Sequence, residues 1–365
     1  MRSGDSTVRR RPRPTRTFVS LTGPAGNLGD ALIRRGTLDW ARNTSDELIA
    51  YVGAAPDEWL RQLGIPDNAI VLRDKSSVPR WLWMLLTARH RPVLVFEAGE
   101  VPLDRGNVLR ELVFLAETLV VRLKRGVVVR PPRGIRAPTN PALWIHAGAA
   151  RLSQVALWRD ATSASLAGGR RIAPDIGFAA GIREGRVHRD ELIVSLRGAR
   201  PHPDAAWVEA VRRTTAAEGL SIRTVVQVRE DQARARELAD ALGGVFDPWG
   251  DTDAVTQEER LRQQYEGARL VISDRMHVLV LAALSGAVPV ELVPRPTNKI
   301  SAAFATIGLT GVSLDAAEHD AHGMQEFLSS QLTRADEVRD RVAEADRQLR
   351  DVEAEVRATI EAARA

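Results

Sequence analysis

The chain has 365 residues, 44% of them hydrophobic and 27% charged. At about 150 residues per domain these are the values of a globular protein of roughly two domains, which excludes a single small domain and wholesale disorder. The net charge of +4 resides at the N-terminus: Arg2, Arg9, Arg10, Arg11, Arg13 and Arg16 against Asp5 give residues 1–16 a charge of +5 and leave −1 for the body, too little for a surface that binds nucleic acid by bulk charge.

The absence of cysteine excludes disulfide frameworks, thiolate metal sites and thiol nucleophiles, and suits a reducing compartment. Residues 1–16 read as a disordered basic tail. The apolar stretch behind them, 18–21, is too short for a secretory signal. No apolar run approaches the about 20 residues that a membrane-spanning helix needs, so a cytoplasmic protein is expected.

From residue 17 onward, short apolar runs alternate with segments long enough for helices. Strands are expected at 17–22, 48–52, 69–72, 93–96, 127–129 and 155–158, and a first helix over 28–42. The densest apolar window, Trp81-Leu-Trp-Met-Leu-Leu86, stands between Arg80 and Arg89. A buried helix is the expected reading; an interfacial anchor at the inner face of a membrane is the other. A polar, glycine-containing linker over 181–190 precedes a second series: strands at 192–196, 222–228, 270–273 and 288–292, and helices at 204–218, 231–242, 256–267 and 276–285. The alternation predicts an α/β protein with two Rossmann-like domains, 17–180 and 181–314, facing each other across a cleft that is the default active site. Residues 315–365 are charged and strongly helix-forming, and a long C-terminal helix is expected there. Its apolar stripe of Leu328, Leu332, Val338, Val342, Leu349, Val352 and Val356 suits packing along the domains or pairing with another chain.

Two corners between strand and helix carry residues suited to chemistry. In Thr22-Gly-Pro-Ala-Gly-Asn-Leu-Gly-Asp30, Gly26 and Gly29 suit a bend whose backbone amides approach an anion. The spacing is neither a dinucleotide fingerprint nor a P-loop. Asn27 and Asp30 read as helix caps or, alternatively, as groups facing the cleft, with Asp30 a base or a partner for a sugar hydroxyl. In Ser273-Asp-Arg-Met-His277, Arg275 and His277 open a helix that is otherwise apolar, where both can reach one anion. Arg159 and Arg197 occupy comparable strand ends, and Lys299, one of three lysines, follows the proline-rigid loop after the last strand. Four such positions imply a small, strongly anionic substrate. Asp251-Thr-Asp253 reads as turn and cap chemistry rather than a metal and nucleotide-sugar site. No residue cluster demands a metal.

The ordered set Gly26-Asn-Leu-Gly-Asp30, Trp158-Arg-Asp-Ala-Thr-Ser163, Pro174-Asp-Ile-Gly-Phe178, Val194-Ser-Leu-Arg197, Ser273-Asp-Arg-Met-His277, Ala282-Ala-Leu-Ser-Gly-Ala-Val-Pro289 and Asn298-Lys299 resembles the polysaccharide pyruvyl transferase family. The resemblance spans residues 18 to about 310. It implies a fold like that of the B-type glycosyltransferases and transfer of a pyruvyl group from phosphoenolpyruvate, the donor substrate in place of any cofactor, onto saccharide hydroxyls as a ketal. The acceptor can be lipid-linked, which would bring peripheral membrane contact. Carried onto this chain, it places Arg159, Arg275, His277 and Lys299 around phosphoenolpyruvate, with Arg197, Asn27, Gly26 and Gly29 as further binding positions. His277 suits a general acid, because its pKa is easily poised near neutrality, and Asp30 suits assistance to the acceptor hydroxyl. Phe96-Glu-Ala-Gly-Glu100 departs from the glycine-rich loop of the family. A nucleotide-sugar glycosyltransferase and a non-catalytic sugar-binding or scaffold protein are the alternatives.

Overall fold

A computed structural model describes residues 15–364, His90, Gly185 and Val187 excepted. The expected basic tail therefore lies outside the described residues up to residue 14. Its last arginine belongs to the fold: Arg16 opens the first strand, with Nε 2.7 Å from a Glu47 carboxylate oxygen.

The first half runs β1 (Arg16–Ser20), α1 (Leu28–Ala41), β2 (Glu47–Gly53), α2 (Asp57–Leu63), β3 (Ile70–Arg73), α3 (Val78–Thr87), β4 (Val93–Val95), β5 (Gly99–Pro102), α4 (Val108–Leu123), β6 (Val127–Arg136), α5 (Asn140–Leu152), β7 (Val155–Trp158) and α6 (Ala161–Ala167). The second runs β8 (Glu191–Ser195), α7 (Ala205–Glu218), β9 (Ser221–Val225), α8 (Gln232–Leu242), β10 (Val245–Asp247), α9 (Ala254–Gly267), β11 (Ala268–Ser273), α10 (Met276–Leu284), β12 (Val288–Val293), α11 (Asn298–Thr306) and β13 (Ser313–Asp315). Two helices follow, α12 (Ala321–Leu332) and α13 (Ala335–Arg364). The strands β5, β10 and β13 have no counterpart among the expected ones; each is three or four residues long and lacks an apolar run.

The strands form two parallel sheets in the order β3-β2-β1-β4-β6-β5, with β7 also on β6, and β10-β9-β8-β11-β12-β13. This is the expected α/β class with two Rossmann-type units. In each sheet the order reverses beside the first strand of the unit, between β1 and β4 and between β8 and β11, and the crevice at the carboxyl ends of such strands is where ligands bind in these folds.

Helix α10 shows why that crevice is firmly built. Every residue from Met276 to Leu284 except His277 is buried, because β11 and β12 lie on one side and α1 and α13 on others. A helix that is apolar all round must be enclosed, and its one polar side chain is then held at the point where the enclosure opens.

The expected C-terminal helix is split at Thr333 and Arg334. Val338, Val342, Leu349 and Val356 of the 30-residue α13 are buried, so its stripe packs along the two halves of the same chain. Near its start, Arg334 donates to the Thr310 carbonyl at 2.7 Å. Near its end, Arg357 donates to the Asp39 and Arg42 carbonyls and Glu355 meets Arg171 at 2.6 Å. Helix α13 thus straps the second half to the first. Helix α3 departs from the buried reading: Trp81 and Leu85 point inward, but Trp83 and Leu86 are exposed. Among the described residues no helix is long and apolar enough to cross a membrane.

Candidate functional site

The glycine-rich corner after β1 is held by helix capping. The Asn27 side chain accepts from the amides of Gly29 (3.0 Å) and Asp30 (3.4 Å), and its Nδ2 donates to Asp30 Oδ2 at 2.6 Å. Both residues therefore serve the start of α1. Gly26 adopts φ +82°, a left-handed conformation that favours glycine, with open space beside it. Gly29 is required for another reason: a Cβ there would stand 2.7 Å from His277 Cβ and 2.8 Å from its Nδ1. Helix α1 of the first half thus rests directly on the imidazole of the second.

At the carboxyl end of β11, Ser273 donates to the Ser195 carbonyl at 2.5 Å and accepts from the Arg275 amide. Asp274 Oδ1 accepts from the Arg197 amide at 3.0 Å, tying the ends of β8 and β11 together. Arg275 and His277 leave this corner towards different carboxylates. Arg275 Nε donates to Asp231 Oδ2 at 2.7 Å, and Asp231 also accepts from the Gly198 amide. His277 turns to Asp175, with Nε2 buried, 3.6 Å from Oδ1 and without a hydrogen bond.

From His277 a chain of ionisable side chains crosses between the halves. Asp175 Oδ2 accepts from Arg159 Nη1 at 3.3 Å, Arg159 Nη2 donates to Glu100 Oε1 at 3.2 Å, and Glu100 Oε2 stands 3.4 Å from Lys299 Nζ on α11. Gly134 makes room for this: a Cβ there would overlap the Arg159 guanidinium. Burial raises the pKa of Asp175, but the neighbouring His277 and Arg159 and the Gly177 amide outweigh it and hold the carboxyl well below the usual range. Burial depresses the Lys299 ammonium, repulsion from Arg159 and Arg197 adds to this, and Glu100 opposes it. Glu100 itself is drawn down by Lys299, Arg159 and Arg136 against the effect of burial.

Beside this array lies a cleft of about 410 Å³, lined from the first half by Pro24, Ala25 and Asn27 and from the second by Arg197, Asp231 and Arg275 among others. The structure therefore assembles His277, Arg159 and Lys299 in one array and Arg275, Arg197 and Asn27 around the adjoining cleft. Asp30 joins neither; its carboxylate is bound locally by Asn27. Asp253 caps α9, accepting from the Thr256 amide at 2.8 Å, which is the turn and cap role expected of the Asp251-Thr-Asp253 motif.

The partners of the cations escaped sequence reasoning. Glu100, Asp175, Asp231 and Asp274 lie apart from their arginines along the chain, and the signals for them are the rule that a buried guanidinium needs an acid and, for Asp175 and Asp274, their place in the Pro174-to-Phe178 and Ser273-to-His277 blocks. The Phe96-to-Glu100 segment, which departs from the resemblance, supplies two of the local acids: Glu100, and Glu97, which accepts from Ser20 and Thr22. Among the described residues no group of three or more His, Asp or Glu side chains is placed to hold a metal ion.

No protein-family model matches the chain, and no curated protein matches it significantly in sequence. Solved structures do match in fold. A Listeria monocytogenes protein provisionally designated a UDP-N-acetylglucosamine 2-epimerase aligns over 96% of this chain and 97% of its own, with TM-score 0.58 and 14% identity. Anabaena HepE in complex with UDP aligns over 95% and 100%, with TM-score 0.56 and 13% identity. A UDP-GlcNAc 2-epimerase from Neisseria meningitidis bound to UDP-GlcNAc aligns over 90% and 94%, with TM-score 0.51 and 10% identity. At these identities the likeness establishes a shared fold, the two-unit architecture of the B-type glycosyltransferases.

Proposed function

We propose that the chain is a carbohydrate-active transferase that takes a pyruvyl group from phosphoenolpyruvate and joins it to two saccharide hydroxyls as a ketal. One observation carries the reading. His277, Arg159 and Lys299, distant in sequence and drawn from both halves, are linked through Asp175 and Glu100 in one largely buried array, with Arg275 and Arg197 on the adjoining cleft. A small donor with a carboxylate and a phosphate needs such a set, because each anion is costly to desolvate without fixed cations. In the structure each arginine and Lys299 already faces a carboxylate. The donor therefore displaces Glu100 from Arg159 and Lys299, or Asp231 from Arg275, as it binds.

The chemistry follows from the groups present. The His277 imidazolium gives a proton to the methylene carbon of the donor, and the central carbon, now electron-poor, accepts the first sugar hydroxyl, whose proton returns to the imidazole. Phosphate then leaves with the electrons of its C–O bond, drawn by the arginine and lysine charges, and the second hydroxyl closes the ketal as its proton passes to the departing phosphate. One donor and one diol become one ketal and one inorganic phosphate. Asp175, kept anionic, faces the imidazole ring.

The test is phosphate release from phosphoenolpyruvate in the presence of a saccharide diol. The wild-type protein releases phosphate, and His277→Ala lowers the rate by about 100-fold or more, the range for loss of a general acid. Full activity in the variant refutes the acid role.

A second reading, a nucleotide-sugar-dependent transferase, draws support from the UDP and UDP-GlcNAc named for the Anabaena and Neisseria structures and from the cleft at the ends of β8 and β11. It requires that UDP-sugars, and not phosphoenolpyruvate, raise the melting temperature.

A further inference from the structure

Helix α4 is built the wrong way round for a surface helix in water. Its two acids, Glu111 and Glu117, face inward and are buried, the first 2.7 Å from His146 Nδ1 and the second accepting from the Trp81 indole at 2.8 Å. Its outward side instead carries Leu109, Leu112, Leu119 and Leu123, the first 72% and the last 84% exposed. Steps of three, seven and four residues keep these leucines on one stripe along about 21 Å of helix. The neighbouring α3 adds Trp83, 67% exposed, and Leu86. Single exposed leucines are ordinary, but a stripe of them with an exposed tryptophan on the adjoining helix marks a surface made to be covered.

The charges around the stripe identify the cover. Lys124 Nζ donates to the Leu86 and Ala88 carbonyls, which brings the carboxyl ends of α3 and α4 together. Arg89, Arg122 and Arg125 are exposed at that end, and neither α3 nor α4 presents an acid outward. At the other end of α4, Asp104 is turned to the Gly106 amide. A second copy of the chain would meet this face with the same cations and no counter-charge on the two helices. Anionic headgroups supply that charge, and the acyl boundary accepts leucine and tryptophan.

We propose that the α3–α4 face docks on the surface of an anionic phospholipid bilayer, lying on it without crossing it. The surface holds whichever donor the cleft takes, since none of its residues belongs to the charged array. The experiment is co-sedimentation of the full chain with vesicles of equal parts phosphatidylglycerol and phosphatidylcholine, and with pure phosphatidylcholine. Wild type pellets with the anionic vesicles, weakly or not at all with the neutral ones, and is released as salt screens the cations. Leu119→Gln with Leu123→Gln, and separately Arg122→Glu with Arg125→Glu, each lower the partition coefficient at least tenfold at an unchanged melting temperature. The proposal is overturned if wild type stays in the supernatant, if it binds both vesicle types equally, or if either double variant partitions like wild type. It is equally overturned if wild type sediments as a dimer that the leucine variants convert to monomer.

Discussion

Gly29 lacks a side chain because His277 fills the space one would occupy, and this contact fixes where the imidazole stands relative to the first half. A methyl group there has no flexible tip to push aside, since the ring itself is the obstacle. Gly29→Ala is therefore expected to displace His277 by a fraction of an ångström to an ångström and to reduce phosphate release by about 10- to 100-fold, with a smaller loss of stability, of order 1–3 kcal/mol, from overpacking. Steady-state kinetics beside thermal denaturation separates the two effects; a variant that loses stability but keeps its rate removes Gly29 from the site. Glu291 gives a pH-dependent case. Burial, opposed by the Ser313 hydroxyl and Arg200, raises its carboxyl from 4.5 to about 7. The folded state favours the neutral acid, so the contribution to stability is complete below about pH 4.5 and is lost as pH rises through 7. Glu291→Gln should match wild type at pH 4.5 and exceed it at pH 8 by about 1–3 kcal/mol, read from denaturant midpoints at the two pH values. An unchanged difference between them contradicts the assignment. The cations of the site were legible because arginine, histidine and lysine stood at strand ends. Asp175 and Glu100 were not, because nothing local distinguishes an acid that pairs across the fold from one that faces solvent.

At the level of elements, the central strands announce themselves. Runs such as Leu270-Val-Ile272 are apolar throughout because both faces of a parallel sheet are covered. The short edge strands β10 and β13 and the polar β5 carry no such signal. Helix α4 shows a further limit: periodicity reveals an apolar stripe but not which side of the helix is turned inward, and here the buried side carries Glu111, Glu117 and Thr118. Helix α13 shows the opposite case, a narrow stripe whose burial follows the pattern. Leu349, 1% exposed at the middle of the strap, is expected to cost about 2–5 kcal/mol when cut to alanine. Calorimetry on Leu349→Ala tests this; a loss below 1 kcal/mol means that α13 is not firmly seated along the two halves.

Across the whole molecule, the alternation of elements was enough to place two parallel sheets and a cleft between them, because βαβ connectivity leaves few other arrangements. Which cations meet there depends on topology: β8 and β11 are neighbours in the second sheet, whereas β7 belongs to the first, so Arg159 joins the second-half cations only where the two units face each other. The fold is shared with proteins whose structures hold UDP, so the fold does not choose the donor. The proposed donor rests on the linked array of His277, Arg159 and Lys299, in which Glu100 pairs with both Arg159 and Lys299. The most direct measurement is calorimetric titration of the 365-residue chain with phosphoenolpyruvate and, separately, with UDP-GlcNAc. Saturable uptake of phosphoenolpyruvate, weakened at least tenfold in Lys299→Ala and absent for the nucleotide sugar, is the expected result; saturable binding of UDP-GlcNAc with no heat from phosphoenolpyruvate would contradict it.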